Sequence, residues 1–288
     1  MCGRYTLTVP AEVVAEMFGV DAPLDDDVRL YGPRYNVAPT QDVPVIRAAD
    51  LRSRARAERE TAAGAGEGGG EGPPRRRLDL LRWGLVPWWA DDPSIGNKMI
   101  NARAESAADR PAYRESFRGR RCLVVADGFY EWAAEPGGKQ PFWIHAPDGR
   151  PFAFAGLWSR WRQGGGPPLE TFTILTRDAA PGLRHLHDRM PVILDPADHD
   201  LWLDPANDDP EALAAAIDRA RADFATRRVD RRVNRPENDG PELLRERPPG
   251  PAGEPPGDSP AASGAAPVQR SLFEGAALAG VTGRGDED

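Results

Sequence analysis

The sequence predicts an α+β fold: a single domain built on a curved, barrel-like, mainly antiparallel sheet with flanking helices. Two observations carry that expectation. Residues 121–132, 141–146, 151–161 and 171–176 are rich in Val, Ile, Phe and Trp and are punctuated by Gly, Pro or Asp, which is strand composition. Strands that follow one another so directly favour antiparallel pairing. Helical periodicity is confined to residues 10–18, where Val13, Val14, Met17 and Phe18 fall on one face, and to residues 210–225.

Two stretches stand outside the domain. Residues 52–77 run from an arginine-rich segment through Ala-Gly-Ala-Gly-Glu-Gly-Gly-Gly to Pro73, Pro74 and three arginines, and cannot bury enough apolar surface to offset the entropy of ordering them. They are expected to form a disordered insertion between strands. Residues 246–288 are again rich in Pro, Gly and Ala and are expected to be a disordered tail, leaving residues 1–245 as the folded domain.

Composition narrows the function classes. Hydrophobic residues make up 40% and charged residues 28%, and no apolar run approaches the ~20 residues of a bilayer span, so a soluble protein with no membrane partner is expected. The start, Met-Cys-Gly-Arg-Tyr, has no basic flank followed by an apolar stretch, and the two cysteines, Cys2 and Cys122, read as reduced thiols. Both points favour a cytoplasmic, nucleoid-associated location. The net charge of -8 argues against a nucleic-acid partner only on the surface of it. Residues 1–190 carry 26 Lys and Arg against 25 Asp and Glu, whereas residues 191–288 carry 11 against 20. A near-neutral body can hold a local basic groove. Without GxGxxG, a Walker loop, HExxH or CxxC, no cofactor and no metal site is expected.

Position 2 has special chemistry. Removal of Met1 would leave Cys2 with an α-amine and a thiol on one residue, and an α-amine, with a pKa near ~7.7 to 8.0, is partly neutral at physiological pH. Such an amine condenses with an aldehyde, and the thiol can close on the imine carbon to give a five-membered thiazolidine. Position alone leaves open that Cys2 is an inert residue at the start of a strand.

Seven short motifs occur in order: Met-Cys-Gly-Arg-Tyr (1–5), Arg-Tyr-Asn-Val-Ala-Pro-Thr (34–40), Trp-Gly-Leu-Val-Pro-Trp-Trp (83–89), Asn-Ala-Arg-Ala-Glu (101–105), Gly-Phe-Tyr-Glu-Trp (128–132), His-Asp-Arg-Met-Pro (187–191) and Val-Asn-Arg-Pro-Glu-Asn-Asp-Gly-Pro-Glu-Leu (233–243). Together they resemble the SOS response-associated peptidase family, whose eukaryotic members are known as abasic-site processing proteins. The resemblance spans about residues 1–245, the insertion excepted.

What it implies is a covalent sensor of abasic sites in single-stranded DNA, crosslinked through Cys2 after self-removal of Met1; because an imine at an abasic site also promotes β-elimination, weak lyase activity stays open beside it. Cys2 matches the nucleophile. Asn101 matches an active-site asparagine that orients the cysteine or the sugar; taken alone it reads as a turn residue. Glu131 matches a proton shuttle, and otherwise reads as a solvent-facing strand residue. His187 matches a general acid that opens the sugar ring, where a lone histidine would be structural. Arg4, Arg103 and Arg189 match phosphate contacts. Trp88 and Trp89 can stack on bases or pack inward, and one of each is expected. Asn36 lies in a segment that borders the family's cleft, and an Asx turn is its structural alternative. Cys122 is expected to be a buried core residue.

Two other functions fit some of these residues. One is a cysteine hydrolase with an N-terminal nucleophile acting on peptide or amide bonds. The other is a DNA-structure-binding module in which Cys2 is incidental. In the tail, Gln269, Leu272 and Phe273 spell Gln-x-x-Leu-Phe, which resembles a peptide that docks on the replication sliding clamp, so that clamp is a further expected partner.

Overall fold

The computed structural model describes residues 2–49, 75–136, 138–162 and 166–247. Met1, the greater part of the expected insertion, and the tail residues Gln269, Leu272 and Phe273 lie outside them. Among the described residues no helix is long and apolar enough to cross a membrane.

Five strands close on themselves. β3 (Asp42–Ala48), β4 (Arg76–Trp83), β6 (Arg121–Ala126), β9 (Phe152–Trp161) and β10 (Leu169–Asp178) pair in the order β10-β4-β3-β6-β9, and β9 pairs back to β10. All of those pairings are antiparallel except β10 with β4, which run parallel. β5 (Asn101–Arg103) also runs parallel to β10, while β11 (Arg189–Pro191) is antiparallel to it. A second, wholly antiparallel sheet has the order β12-β8-β7-β1-β2, from β12 (Ala225–Arg228), β8 (Gly138–His145), β7 (Gly128–Glu135), β1 (Tyr5–Leu7) and β2 (Arg34–Val37). The expected barrel-like α+β architecture is what the chain adopts.

Aromatic side chains join the two sheets. Tyr5 of β1 packs its ring 5.3 Å from Trp83 and 5.8 Å from Phe154, and Phe129 of β7 lies 6.0 Å from Phe154. β6 is buried at all six positions, because the barrel interior covers one face and the helix His199–Leu203 packs near the other. This core fixes β1, and hence the residues that precede it, against β4 and β9.

Several local expectations change. Residues 121–132 form two strands in different sheets, parted at Asp127, whose carboxylate accepts from the Thr8 amide at 2.6 Å and from the Thr6 and Thr8 hydroxyls. That cluster turns the chain from barrel to second sheet. The helix Ala11–Met17 buries Ala11 and Val14, with Phe18 behind them, whereas Val13 and Met17 are exposed. The helix expected over 210–225 spans Pro210–Asp218, and the chain re-enters a strand at Ala225. β4 takes in Arg76 and Arg77, which were expected to belong to the insertion; Arg77 bonds Asp79, and Arg76 bonds Asp200 and the Phe18 carbonyl. Neutralised in this way, both arginines can sit in a strand.

His199 makes the fold sensitive to acid. Its ring is buried, stacks on Phe18 at 5.6 Å, and has no hydrogen-bond partner for Nε2 among the described residues. Burial, reinforced by the Arg76 charge, lowers its pKa to about 4. The unfolded chain takes up this proton below about pH 6.5 and the folded chain does not, so stability falls as pH drops from about 6.5 towards 4, by up to ~3 kcal/mol. In urea denaturation at pH 7 and pH 4, the His199→Gln variant should lack this share of the acid loss. Parallel losses in the two proteins would mean that other groups carry the acid response.

Candidate active site

The site begins where β1 pairs with β7. Tyr5 pairs with Phe129 and Thr6 with Gly128, and the Tyr130 amide donates to the Arg4 carbonyl at 3.0 Å, so the chain before β1 continues along β7 towards Glu131. Cys2 is fully buried there, its Sγ 3.8 Å from the Arg4 carbonyl oxygen. Burial pushes its thiol pKa well up, and the neighbouring Glu131 carboxylate adds to the rise.

Asn101 comes from the other side. β5 is held parallel to β10 by register Ile174 with Asn101, which places the asparagine at the head of its strand. Its Nδ2 donates to the Cys2 carbonyl at 2.7 Å, while its Oδ1 is buried with no hydrogen-bond partner among the described residues. One amide arm therefore clamps Cys2. The other remains as an acceptor.

Glu131 and His187 line a cleft of about 430 Å³ together with Trp132, Lys139 and Asn234. Glu131 is buried, and burial raises its carboxyl pKa even though His187 nearby lowers it. His187 sits in the turn between β10 and β11. Its Nδ1 is 2.9 Å from the Arg189 amide, which donates to it, and 2.8 Å from an Asp188 carboxylate oxygen. One nitrogen cannot accept from the amide and donate to the carboxylate at once. With the amide bond formed, the ring proton lies on Nε2; protonation of Nδ1 would transfer that nitrogen to Asp188.

The other nominated residues divide into two groups. Trp88 and Trp89 are 56% and 46% exposed, so the expectation that one of them packs inward does not hold. Trp83 occupies the core in their stead, with its Nε1 donating to the Ile100 carbonyl at 2.9 Å. Arg103, at the far end of β5 from Asn101, is exposed.

Arg4, Asn36 and Arg189 are committed within the protein. Arg4 donates to Asn36 Oδ1 at 3.0 Å and to the Val233 carbonyl at 2.9 Å. Asn36 is buried, its Nδ2 donating to the carbonyls of Val233, Arg235 and Asn238, which is a latch on the 233–239 segment and not an Asx turn. Asp239 completes the latch by accepting from the Tyr35 and Asn36 amides and from Arg34. Arg189 bridges Glu105 at 2.8 Å and Asp178 at 2.5 Å. Cys122 is buried in β6, as expected.

The cleft residues Trp132, Lys139 and Asn234 were not singled out from sequence. Trp132 and Asn234 do lie inside quoted motifs, and they meet through a 2.7 Å bond from the indole Nε1 to Asn234 Oδ1. Lys139 carries no motif.

A family model described as SOS response associated peptidase (SRAP) matches residues 1–236. The chain belongs to the SRAP family. Among its relatives, the abasic site processing protein YoqW of Bacillus subtilis is 38% identical over 246 residues, covering 85% of this chain and 99% of that protein. Abasic site processing protein YedK of Escherichia coli is 31% identical over 250 residues, covering 85% and 99%. A solved structure from Bacteroides thetaiotaomicron superposes with a TM-score of 0.68 over 85% of this chain and all of that one; at 22% identity it supports the fold alone. In this SRAP chain the family match takes in every residue of the cleft and of its Cys2–Asn101 clamp.

Proposed function

We propose that this SRAP-family protein marks abasic sites in single-stranded DNA by bonding to them covalently through Cys2, after removing its own Met1. The carrying observation is the 2.7 Å clamp of Asn101 on the Cys2 carbonyl, beside the buried Glu131. It holds position 2 in one place where a proton-transfer group is at hand. Names of relatives, abasic site processing proteins, supply the substrate class.

The chemistry follows from an amine, a thiol and an aldehyde. The free α-amine adds to the ring-opened sugar aldehyde and water leaves, giving an imine. The thiol then adds across the C=N bond: sulfur bonds to carbon and its proton passes to nitrogen. The product is a thiazolidine, formed with net loss of one water. A thiol kept protonated by burial is slow to attack first, which leaves the first step to the amine. Glu131, whose carboxyl titrates above the usual range, can take a proton from the ammonium and return one to the departing water. His187 can protonate the sugar ring oxygen to open it. Ring closure to the thiazolidine removes the imine that would promote β-elimination, so any lyase activity is weak. The exposed Trp88, Trp89 and Arg103 are the motif residues best placed to meet DNA, whereas Arg4, Asn36 and Arg189 shape the site through internal bonds.

The direct test is to mix processed protein with a single-stranded oligonucleotide carrying one abasic site. A denaturation-resistant adduct, its mass the sum of the two partners less one water, is expected. Binding that salt fully reverses would overturn the reading and leave a binding module.

Glu131→Gln should slow crosslinking at saturating DNA by about 100-fold with little change in affinity, since it keeps the shape and removes the proton acceptor. In the wild type, the rate should decline towards acid with a midpoint above the ~4.3 of an ordinary glutamate, because the base form is lost as pH falls through the raised pKa. The variant should lack that limb. Equal rates and equal pH profiles would reduce Glu131 to a buried strand residue.

A further inference from the structure

The five residues lining the cleft differ in how far their polar groups are already engaged. Trp132 and Asn234 bond each other, His187 Nδ1 accepts from the Arg189 amide, and Glu131 is buried. Lys139 is exposed, and among the described residues its ammonium makes no hydrogen bond or ion pair. The acid closest to it along the hairpin, Glu135, is already bonded to Arg228 of β12.

Strand register places the lysine. Ala134 lies across from Lys139 and Trp132 across from Pro141, so Lys139 shares a face of the sheet with Trp132, and Glu131 projects to the opposite face. The buried carboxyl, the half-buried indole and the exposed cation all line the cleft, and the indole and the cation share a face of the sheet. An aromatic plane next to a positive charge is the arrangement that takes a single-stranded nucleic acid, with a base on the ring and a phosphodiester on the cation. A lysine suits that position because a point charge on a flexible stem follows a backbone of variable geometry. In a chain of net charge -8, and with Arg4 and Arg189 bonded internally, an uncommitted cation beside the cleft carries unusual weight.

We infer that Lys139 is a positioning residue that grips a backbone phosphate of the bound single strand and so sets where the strand enters the cleft. This rests on the single-stranded DNA reading above and adds to it the residue that draws the strand in. Lys139 takes no part in bond making.

The experiment measures equilibrium binding of full-length protein to an undamaged single-stranded oligonucleotide from about 50 to about 200 mM salt, and crosslinking to the abasic version in parallel. Lys139→Met should weaken binding about three- to tenfold at the low end and flatten the slope of log K against log salt by about 0.7, one phosphate's worth for a single strand. Lys139→Arg should restore both. Crosslinking by Lys139→Met should need more DNA for half-maximal rate but reach the wild-type rate at saturation. An unchanged salt slope in Lys139→Met, with the wild type still forming its adduct, overturns this inference alone. So does a borohydride-trapped bond between Lys139 and the abasic sugar, which would make its amine a reacting group. Failure of the wild type to form an adduct, with the Lys139 slope change intact, counts instead against the Cys2 chemistry. A wild type that binds no single-stranded DNA overturns both.

Discussion

Replacing Cys2 with alanine is expected to abolish the denaturation-resistant adduct while leaving reversible DNA binding close to that of the wild type. The thiol is buried and, among the described residues, makes only one long hydrogen bond, 3.8 Å to the Arg4 carbonyl, so its loss costs the fold about 1 kcal/mol. Met1 removal still exposes an α-amine on the alanine, and imine formation therefore survives. Without sulfur the imine cannot close. It either hydrolyses or proceeds to β-elimination, so the variant should show more strand cleavage than the wild type alongside the missing crosslink. Cys2→Ser provides a second measurement, because a hydroxyl is a far poorer nucleophile than a thiol towards the imine, and its adduct should be scarce and labile to heat. Adduct yields in Cys2→Ala equal to those of the wild type would end the thiazolidine reading.

How far the sequence could be read depended on the range of the interaction concerned. Cys2, Asn101, Glu131 and His187 are all named by short motifs, but what relates them is contact between residues far apart in the chain: the Asn101 amide reaches Cys2 across 99 positions, and Arg4 reaches Val233 across 229. Motif reading sees a conspicuous arginine and assigns it a phosphate. Only the fold reveals that one terminal nitrogen of Arg4 bonds both Asn36 of β2 and Val233 in the segment that closes over it. Lys139 is the converse, a residue with no local signal whose interest comes from the neighbours that strand pairing gives it.

Local errors have equally local causes. The apolar run through residues 121–132 hides a change of sheet, because a single Asp127 among buried neighbours does not interrupt strand composition, although its carboxylate gathers Thr6 and Thr8 and redirects the chain. In the first helix, four large apolar residues suggested a broad face. The helix has only seven residues and buries a narrow stripe, so the small Ala11 contributes more to packing than Val13 or Met17. Past Asp218, the pull of Phe224 into the aromatic cluster with Phe129 and Phe152, at 6.2 and 6.1 Å, overrides helical propensity.

Gly84→Ala should be a strongly damaging small substitution. Gly84 has φ of +125°, a region that L side chains rarely adopt, and a Cβ built there would stand 2.5 Å from the Gly96 carbonyl oxygen. Gly96 is pressed in turn against the Gly84 carbonyl oxygen, so two backbones cross with no side chain able to give way. The crossing lies where the chain leaves β4 for Trp88 and Trp89 and returns through the 3-10 turn Pro93–Lys98 to Asn101. Around it, the Gly84 amide donates to the Phe172 carbonyl at 2.8 Å and the Leu85 amide to the Met99 carbonyl at 3.2 Å. Separating the two backbones to admit a methyl group strains these bonds and moves Asn101 away from Cys2. Strain and lost bonding together should cost about 3 to 4 kcal/mol and lower Tm by roughly 10 °C. Crosslinking by the protein that remains folded should also slow, because the Asn101 clamp is displaced. Gly182→Ala supplies the contrast: a Cβ there meets nothing within 4 Å, and its stability should stay within about 0.5 kcal/mol of the wild type. Melting of Gly84→Ala indistinguishable from that of Gly182→Ala would show that the crossing relaxes freely and does not set the position of Asn101.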